Sequence, residues 1–118
     1  MKPFILVNAI LEIGAGILFL TAPTLVPGTE DTSLDGLIFL RMYGAAALAA
    51  GTTALMIWQH YDRTDLHKVF LTLFSVFHVG VTVANAIGYA SGEENCLPVF
   101  VLHGVLAIIT IFFYTKHR

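Results

Sequence analysis

Phe4–Ala22 reads FILVNAILEIGAGILFLTA, an apolar run whose only strongly polar members are Asn8 and Glu12. A helix needs roughly 20 mainly apolar residues to cross the ~30 Å hydrocarbon core of a bilayer, and this run has that length. A surface helix of a soluble protein would keep a continuous polar face, and this run has none. Read as a membrane span, it predicts that the rest of the chain is built the same way.

Three further apolar runs follow, Leu34–Trp58, Val69–Tyr89 and Leu97–Tyr114. The predicted helices cover about 4–22, 34–58, 66–90 and 97–115, and the expected fold is all-α. It is a single transmembrane domain over residues 1–118, an up-and-down antiparallel four-helix bundle in which short connections keep sequential helices adjacent. Helices are favoured over a β-barrel because the runs are about twice the length of a membrane strand and none alternates with period two. Pro3 suits a first helical turn, while Pro23 and Pro27 stop the first helix from continuing. Thr32 with Asp35 is a candidate capping box, Asp65 is placed to cap the third helix, and Asn95 before Pro98 can start the fourth.

Composition agrees with this reading. The 118 residues are 57% hydrophobic and only 12% charged, with a mean hydropathy of +0.80, too few charges to clothe a water-soluble fold. A net charge of -2 with no basic stripe excludes nucleic acid as a main partner. The single cysteine, Cys96, excludes an internal disulfide framework and a cysteine-rich metal site. The first run follows Lys2 as a secretion signal would, but Asn8 and Glu12 inside it argue for a retained span.

Orientation follows from the cations. Lys2, Arg63, Lys68, Lys116 and Arg118 flank one set of helix ends, whereas the first and third connections carry Glu30, Asp31, Asp35, Glu93 and Glu94 with no Lys or Arg. The positive-inside rule then places both termini and the middle connection in the cytoplasm. The acidic connections face outward, which for a bacterial inner-membrane protein means the periplasm. Trp58, Tyr61, Tyr89 and Tyr114 fall near the interfaces, where aromatic belts form.

Each span carries one ionisable residue inside its apolar run: Glu12, Arg41, His78 and His103. An acid or Arg at mid-membrane costs about 2.5–3.5 kcal/mol on insertion scales, so such groups turn toward a protein interior or water. Counted along the helices from their outer ends, the four lie about 10–17 Å deep, which predicts a shared site. Asn8, Glu12 and Gly16 form one stripe, and His78, Thr82 and Asn85 another. Glu12 and Arg41 are expected to pair, with further hydrogen bonds to Asn8, Tyr43 or a histidine. The candidate ligand-binding or proton-carrying residues are therefore Glu12, Arg41, His78, His103, Asn8, Tyr43 and Asn85. The alternative is a structural polar network that only joins helices.

No catalytic residue is assigned, because the sequence lacks a nucleophile triad, a phosphate-cradling glycine loop or a paired-carboxylate arrangement; the enzyme question leans toward no. No cofactor and no metal are expected. His78 and His103 can in principle ligate haem or a metal with Glu12, yet no His-x-x-x-His, Glu-x-x-His or c-type haem motif is present. His60, Asp62, Asp65 and His67 read as a solvated, helix-capping connection, and Cys96 as an unreactive thiol.

Small residues are frequent. Gly14 and Gly16, the pairs Ala45/Ala49, Ala46/Ala50 and Ala47/Gly51, and Gly80, Ala84 and Gly88 allow close helix approach within one chain or at a homodimer seam. The stretch Ile38–Gly51, IFLRMYGAAALAAG, resembles the second helix of small four-helix bacterial membrane proteins of the broad DoxX-like group. The Asn8–Glu12 stretch and the Phe77-His78 and Leu102-His103 pairs are similar to the corresponding helices. That resemblance implies a four-helix membrane fold and carries no catalytic residue with it.

The leading functional expectation is a polar intramembrane site that binds a small amphipathic, lipid- or quinone-like molecule, oriented by Glu12 and Arg41 and hydrogen-bonded by His78 and His103. Two alternatives stay open: an oligomeric proton-coupled transporter working through Glu12, and an accessory subunit packed against a larger membrane complex. The expected partners are the lipid bilayer, the small ligand and, in one alternative, a second copy of the chain.

Overall fold

A computed structural model describes residues 1–116. Four helices make up nearly all of it: α1 (Lys2–Thr21), α2 (Leu34–Gln59), α3 (Thr64–Ala90) and α4 (Cys96–Lys116). All four are long and apolar enough to cross a membrane, and the chain is an all-helical, multi-pass membrane protein. The expected helix ranges hold to within two residues at each end. Arg118, counted above among the cytoplasmic cations, lies outside the described residues.

Two compact units divide the chain, Met1–Arg63 and Thr64–Arg118, and each is a helical hairpin. In the first, the contacts run in opposite directions along α1 and α2. Gly51 approaches Ala9 and Ile13, Gly16 approaches Leu48, and Gly44 approaches Phe19 and Leu20. The two helices are therefore antiparallel, and the three glycines set their separation. A Cβ at Gly51 would lie 2.6 Å from the Ile13 backbone nitrogen, one at Gly16 2.7 Å from that of Leu48, and one at Gly44 2.9 Å from the Phe19 Cβ. Without a hydrophobic driving force between helices in lipid, this backbone proximity supplies the dispersion contacts that join them. Of the small residues noted in α2, Ala47, Ala50 and Gly51 are buried, whereas Ala45, Ala46 and Ala49 are exposed.

Local chemistry ends these helices. Pro3 occupies the first turn of α1, where its missing N–H costs nothing, and Pro23 begins a single 3-10 turn, Pro23–Leu25, after α1 has stopped. Thr29 pins this connection by donating to the carbonyls of Pro23 at 2.6 Å and Val26 at 2.7 Å. Ser33, rather than the expected Thr32, caps α2, its Oγ accepting from the Gly36 N–H at 3.2 Å. At the opposite end of this hairpin the Lys2 ammonium lies 5.5 Å from the ring centres of both Trp58 and Tyr61, a double cation–π contact.

The second hairpin is also antiparallel: Gly88 meets Cys96, and Thr82 meets Gly104 further along. α3 closes with a six-residue cap. Gly92 takes the left-handed conformation at φ 99°, the Gly92 N–H bonds the Tyr89 carbonyl at 3.0 Å, and the Glu93 N–H bonds the Gly88 carbonyl at 3.1 Å. Asp65 stands in the first turn of α3, where its charge suits the helix dipole. Asn95 immediately precedes the first residue of α4, and Pro98 falls within that helix's first turn. Phe70, Leu71 and Phe74 on α3 and Leu106, Ala107 and Thr110 on α4 are buried, with Phe70 stacked on Phe74 at 4.5 Å.

Candidate functional site

The second hairpin brings two of the expected residues into direct contact. His78 lies on the buried stripe of α3 with Phe74 one turn before it, and His103 lies on the buried stripe of α4 with Ala107 one turn after it. Because the helices are antiparallel, the two stripes meet at these residues. The ring nitrogens Nδ1 of His78 and Nδ1 of His103 are 2.9 Å apart, a side-chain hydrogen bond in which both residues are buried, at 0% and 5% exposure.

Its surroundings are aromatic. Phe74 and Phe77 each lie 5.4 Å from the His78 ring, and Phe77 lies 6.0 Å from that of His103. A hydrogen bond walled by such rings is screened little by solvent, so its loss is costly. One turn further along α3, the Thr82 hydroxyl donates to the His78 carbonyl at 2.6 Å, and the Asn85 amide donates to the Val81 carbonyl at 2.9 Å. Asn85 therefore bonds its own helix backbone as well as sharing the His78 stripe.

The Nδ1···Nδ1 contact dictates protonation. One ring must carry a proton at Nδ1 to donate, and the other must be bare there to accept; the acceptor then carries its proton at Nε2. The two rings thus differ in protonation at Nδ1 although they are the same residue type. A second proton at the shared contact would set donor against donor, so the pair holds one proton between the facing nitrogens.

The 2.9 Å spacing is that of a hydrogen bond, and both rings carry nitrogens of the kind that ligate metals.

In the first hairpin, Asn8, Glu12 and Gly16 are all buried, as the single stripe on α1 predicts, with Asn8 at 0% and Glu12 at 2% exposure. The Asn8 amide donates to the Phe4 carbonyl at 2.9 Å. Tyr43 on α2 interacts electrostatically with Glu12 and sets its ring edge-on to Phe19 at 5.2 Å. A buried carboxyl in a membrane span, accompanied by a phenol and a carboxamide, is a place for proton or ligand chemistry and an expensive way to gain packing alone.

Arg41 departs from expectation. It is exposed on α2, and no ion pair joins it to Glu12. Helix geometry explains the difference: α2 meets α1 through Gly44, Ala47 and Gly51, and Arg41, six residues before Ala47, lies about 120° round the helix from it. The exposed side chain therefore stays outside the α1–α2 contact. The expected grouping therefore loses its cation.

Sequence reasoning missed the wall of Phe74 and Phe77 beside the histidines, and it missed Thr110, buried on the His103 stripe with its hydroxyl on the Leu106 carbonyl at 2.6 Å. The signal for both was the helical repeat, since Phe74 precedes His78 by four residues and Thr110 follows His103 by seven. Ile111, one turn beyond Ala107, is 43% exposed.

Comparison of the chain with protein-family models, curated proteins and solved structures finds no match. The class is therefore defined by its own features: a multi-pass helical membrane protein with ionisable groups buried inside its membrane-spanning helices.

Proposed function

We propose that the chain is a polytopic membrane protein that binds a small amphipathic, lipid- or quinone-like molecule through polar groups buried inside its spans. The observation that supports this most is the buried His78–His103 hydrogen bond. Imidazoles buried in membrane-spanning helices can both donate to and accept from the polar head of a ligand. The apolar spans take the rest of such a molecule. Glu12, with Asn8 and Tyr43, is assigned to the same activity as a second polar group.

The proposed arrangement is an up-and-down four-helix bundle in a bacterial inner membrane, with both termini cytoplasmic and the acidic connections outside. The distribution of lysine and arginine supports that orientation. Membership in the DoxX-like group belongs to the same proposal and rests on the Ile38–Gly51 stretch.

The test is equilibrium binding of a decyl-substituted benzoquinone to purified protein, with analysis of non-phospholipid amphiphiles that co-extract from the native membrane. The wild type should bind the probe saturably or retain such an amphiphile, and His103→Ala should weaken that binding tenfold or more. Failure of the wild type to do either contradicts the proposal.

A second reading, proton-coupled transport, is favoured by the one-proton nature of the histidine pair. An imidazole pair can accept a proton at one outer nitrogen and release one at the other, provided the tautomers then reset. Proteoliposomes enclosing a pH-sensitive dye would report proton flux that the His103→Ala variant loses.

A further inference from the structure

Four threonines of the membrane-spanning helices share one habit. Thr52, Thr53, Thr82 and Thr110 each donate to the carbonyl four residues earlier, at 2.6–2.9 Å, as hydroxyls in membrane helices commonly do. Ser75 on α3 breaks it. Its Oγ is buried and makes no hydrogen bond, although a carbonyl four residues back is the partner its neighbours use. A buried, unpaired donor is disfavoured, which calls for an acceptor from outside the chain.

The place it occupies is a groove. Ser75, Thr72 and Val76 of α3 and Ile111 and Tyr114 of α4 line a cavity of about 180 Å³. Thr72 and Val76 also border a wider furrow of about 550 Å³ that runs to Lys68, Val69 and Leu73. The furrow's apolar walls are open, with Val69 54% and Val76 70% exposed. Lys68 lines its upper end, and Lys116 stands near the corresponding end of α4. Lys68 lies seven residues before Ser75 on α3, about 10 Å away, and Lys116 lies two residues beyond Tyr114 on α4, about 3 Å further along; both are exposed. The nearest acid on α3, Asp65, stands in the first turn, beyond Lys68 toward the helix start.

Cations toward the rim, the Ser75 hydroxyl one short step deeper and an open apolar wall match one occupant in a membrane. An anionic glycerophospholipid carries a phosphate, then an ester carbonyl one glycerol unit below it, then acyl chains. The flexible lysine stems can lower their ammonium groups to meet the phosphate.

We propose that the α3–α4 groove binds one anionic glycerophospholipid from the leaflet on the Lys68 side. Its phosphate meets Lys68 and Lys116, its ester carbonyl accepts from the Ser75 hydroxyl once that side chain turns its buried Oγ into the groove, and one acyl chain lies along Val69, Leu73 and Val76. This site is separate from the His78–His103 hydrogen bond, so either reading can fail alone.

The experiment titrates delipidated protein in neutral detergent with phosphatidylglycerol and, separately, with phosphatidylcholine of the same chains. Bound lipid is counted by native mass spectrometry, and stability is followed by thermal unfolding. The wild type should bind one phosphatidylglycerol in preference to phosphatidylcholine. Lys68→Gln and Lys116→Gln should each weaken phosphatidylglycerol binding about fivefold and erode the preference. Ser75→Ala should weaken binding of both lipids severalfold, while leaving the melting temperature of the lipid-free protein unchanged or raised, because the unpaired hydroxyl is gone. A lower melting temperature for lipid-free Ser75→Ala would show that the hydroxyl has a partner within the protein and would overturn the proposal. So would equal binding of the two lipids by the wild type, or phosphatidylglycerol binding indifferent to all three substitutions.

Discussion

His78 and His103, 25 residues apart in sequence, meet nitrogen to nitrogen at 2.9 Å inside the α3–α4 hairpin. The contact joins two helices through a single pair of side chains, so its energetic weight can be isolated by a double-mutant cycle.

Removing one ring leaves the other's Nδ1 buried without this partner. His78→Ala and His103→Ala should each destabilise the hairpin by about 1–3 kcal/mol. The double variant should cost less than their sum, by a coupling of about 0.6–1.7 kcal/mol, the range of interhelical hydrogen bonds in membranes. Reversible unfolding of the four proteins in mixed micelles measures it; strict additivity would mean that the rings do not interact.

Gly51 should be intolerant of any side chain. A Cβ there would sit 2.6 Å from the Ile13 nitrogen and 3.0 Å from the Ala9 carbonyl oxygen, so Gly51→Ala must push α1 and α2 apart, at about 1–3 kcal/mol. Gly14→Ala is the control. No other group lies within 4 Å of its added methyl, and the better helix former should leave stability unchanged or raise it by up to about 1 kcal/mol. Thermal unfolding of the two variants separates close approach from helix propensity.

Arg41→Gln should change stability by no more than about 0.5 kcal/mol, because the exposed guanidinium makes no ion pair with Glu12. Had the two formed a buried pair, the same substitution would strand a charge and cost about 3–5 kcal/mol. Denaturant titration discriminates between these outcomes by a wide margin.

The proposed orientation predicts which connections a membrane-impermeant maleimide can reach in intact cells. In a Cys96→Ala background, Ser91→Cys, in an exposed acidic connection, should label from outside. Asp62→Cys, exposed between α2 and α3, should label only after the membrane is permeabilised. The reverse pattern would invert the topology.

The helices were legible because a membrane span advertises itself by length and by the scarcity of charge, and each apolar run ends where proline, glycine or polar and charged residues begin. The α1 stripe of Asn8, Glu12 and Gly16 was legible for the same reason, since residues four apart must share a face. The position of Arg41 was not. Depth along a helix can be counted from sequence, but which arc of α2 meets α1 is decided by the glycines at 44 and 51, and Arg41 lies off that arc. Likewise, both histidines were expected inward, while their direct contact depends on the register of two antiparallel helices, fixed by small-residue contacts such as Gly88 with Cys96. The unpaired state of Ser75 could not be read at all, because its sequence context resembles that of the threonines that bond their own helix.

Nitrogen NMR of histidine-labelled protein in bilayers tests the central claim most directly, with only five histidines to resolve. His78 and His103 should show a direct Nδ1–Nδ1 correlation, one ring protonated at Nδ1 and the other bare there and protonated at Nε2. Two rings of the same tautomer with no correlation between their Nδ1 atoms would contradict it.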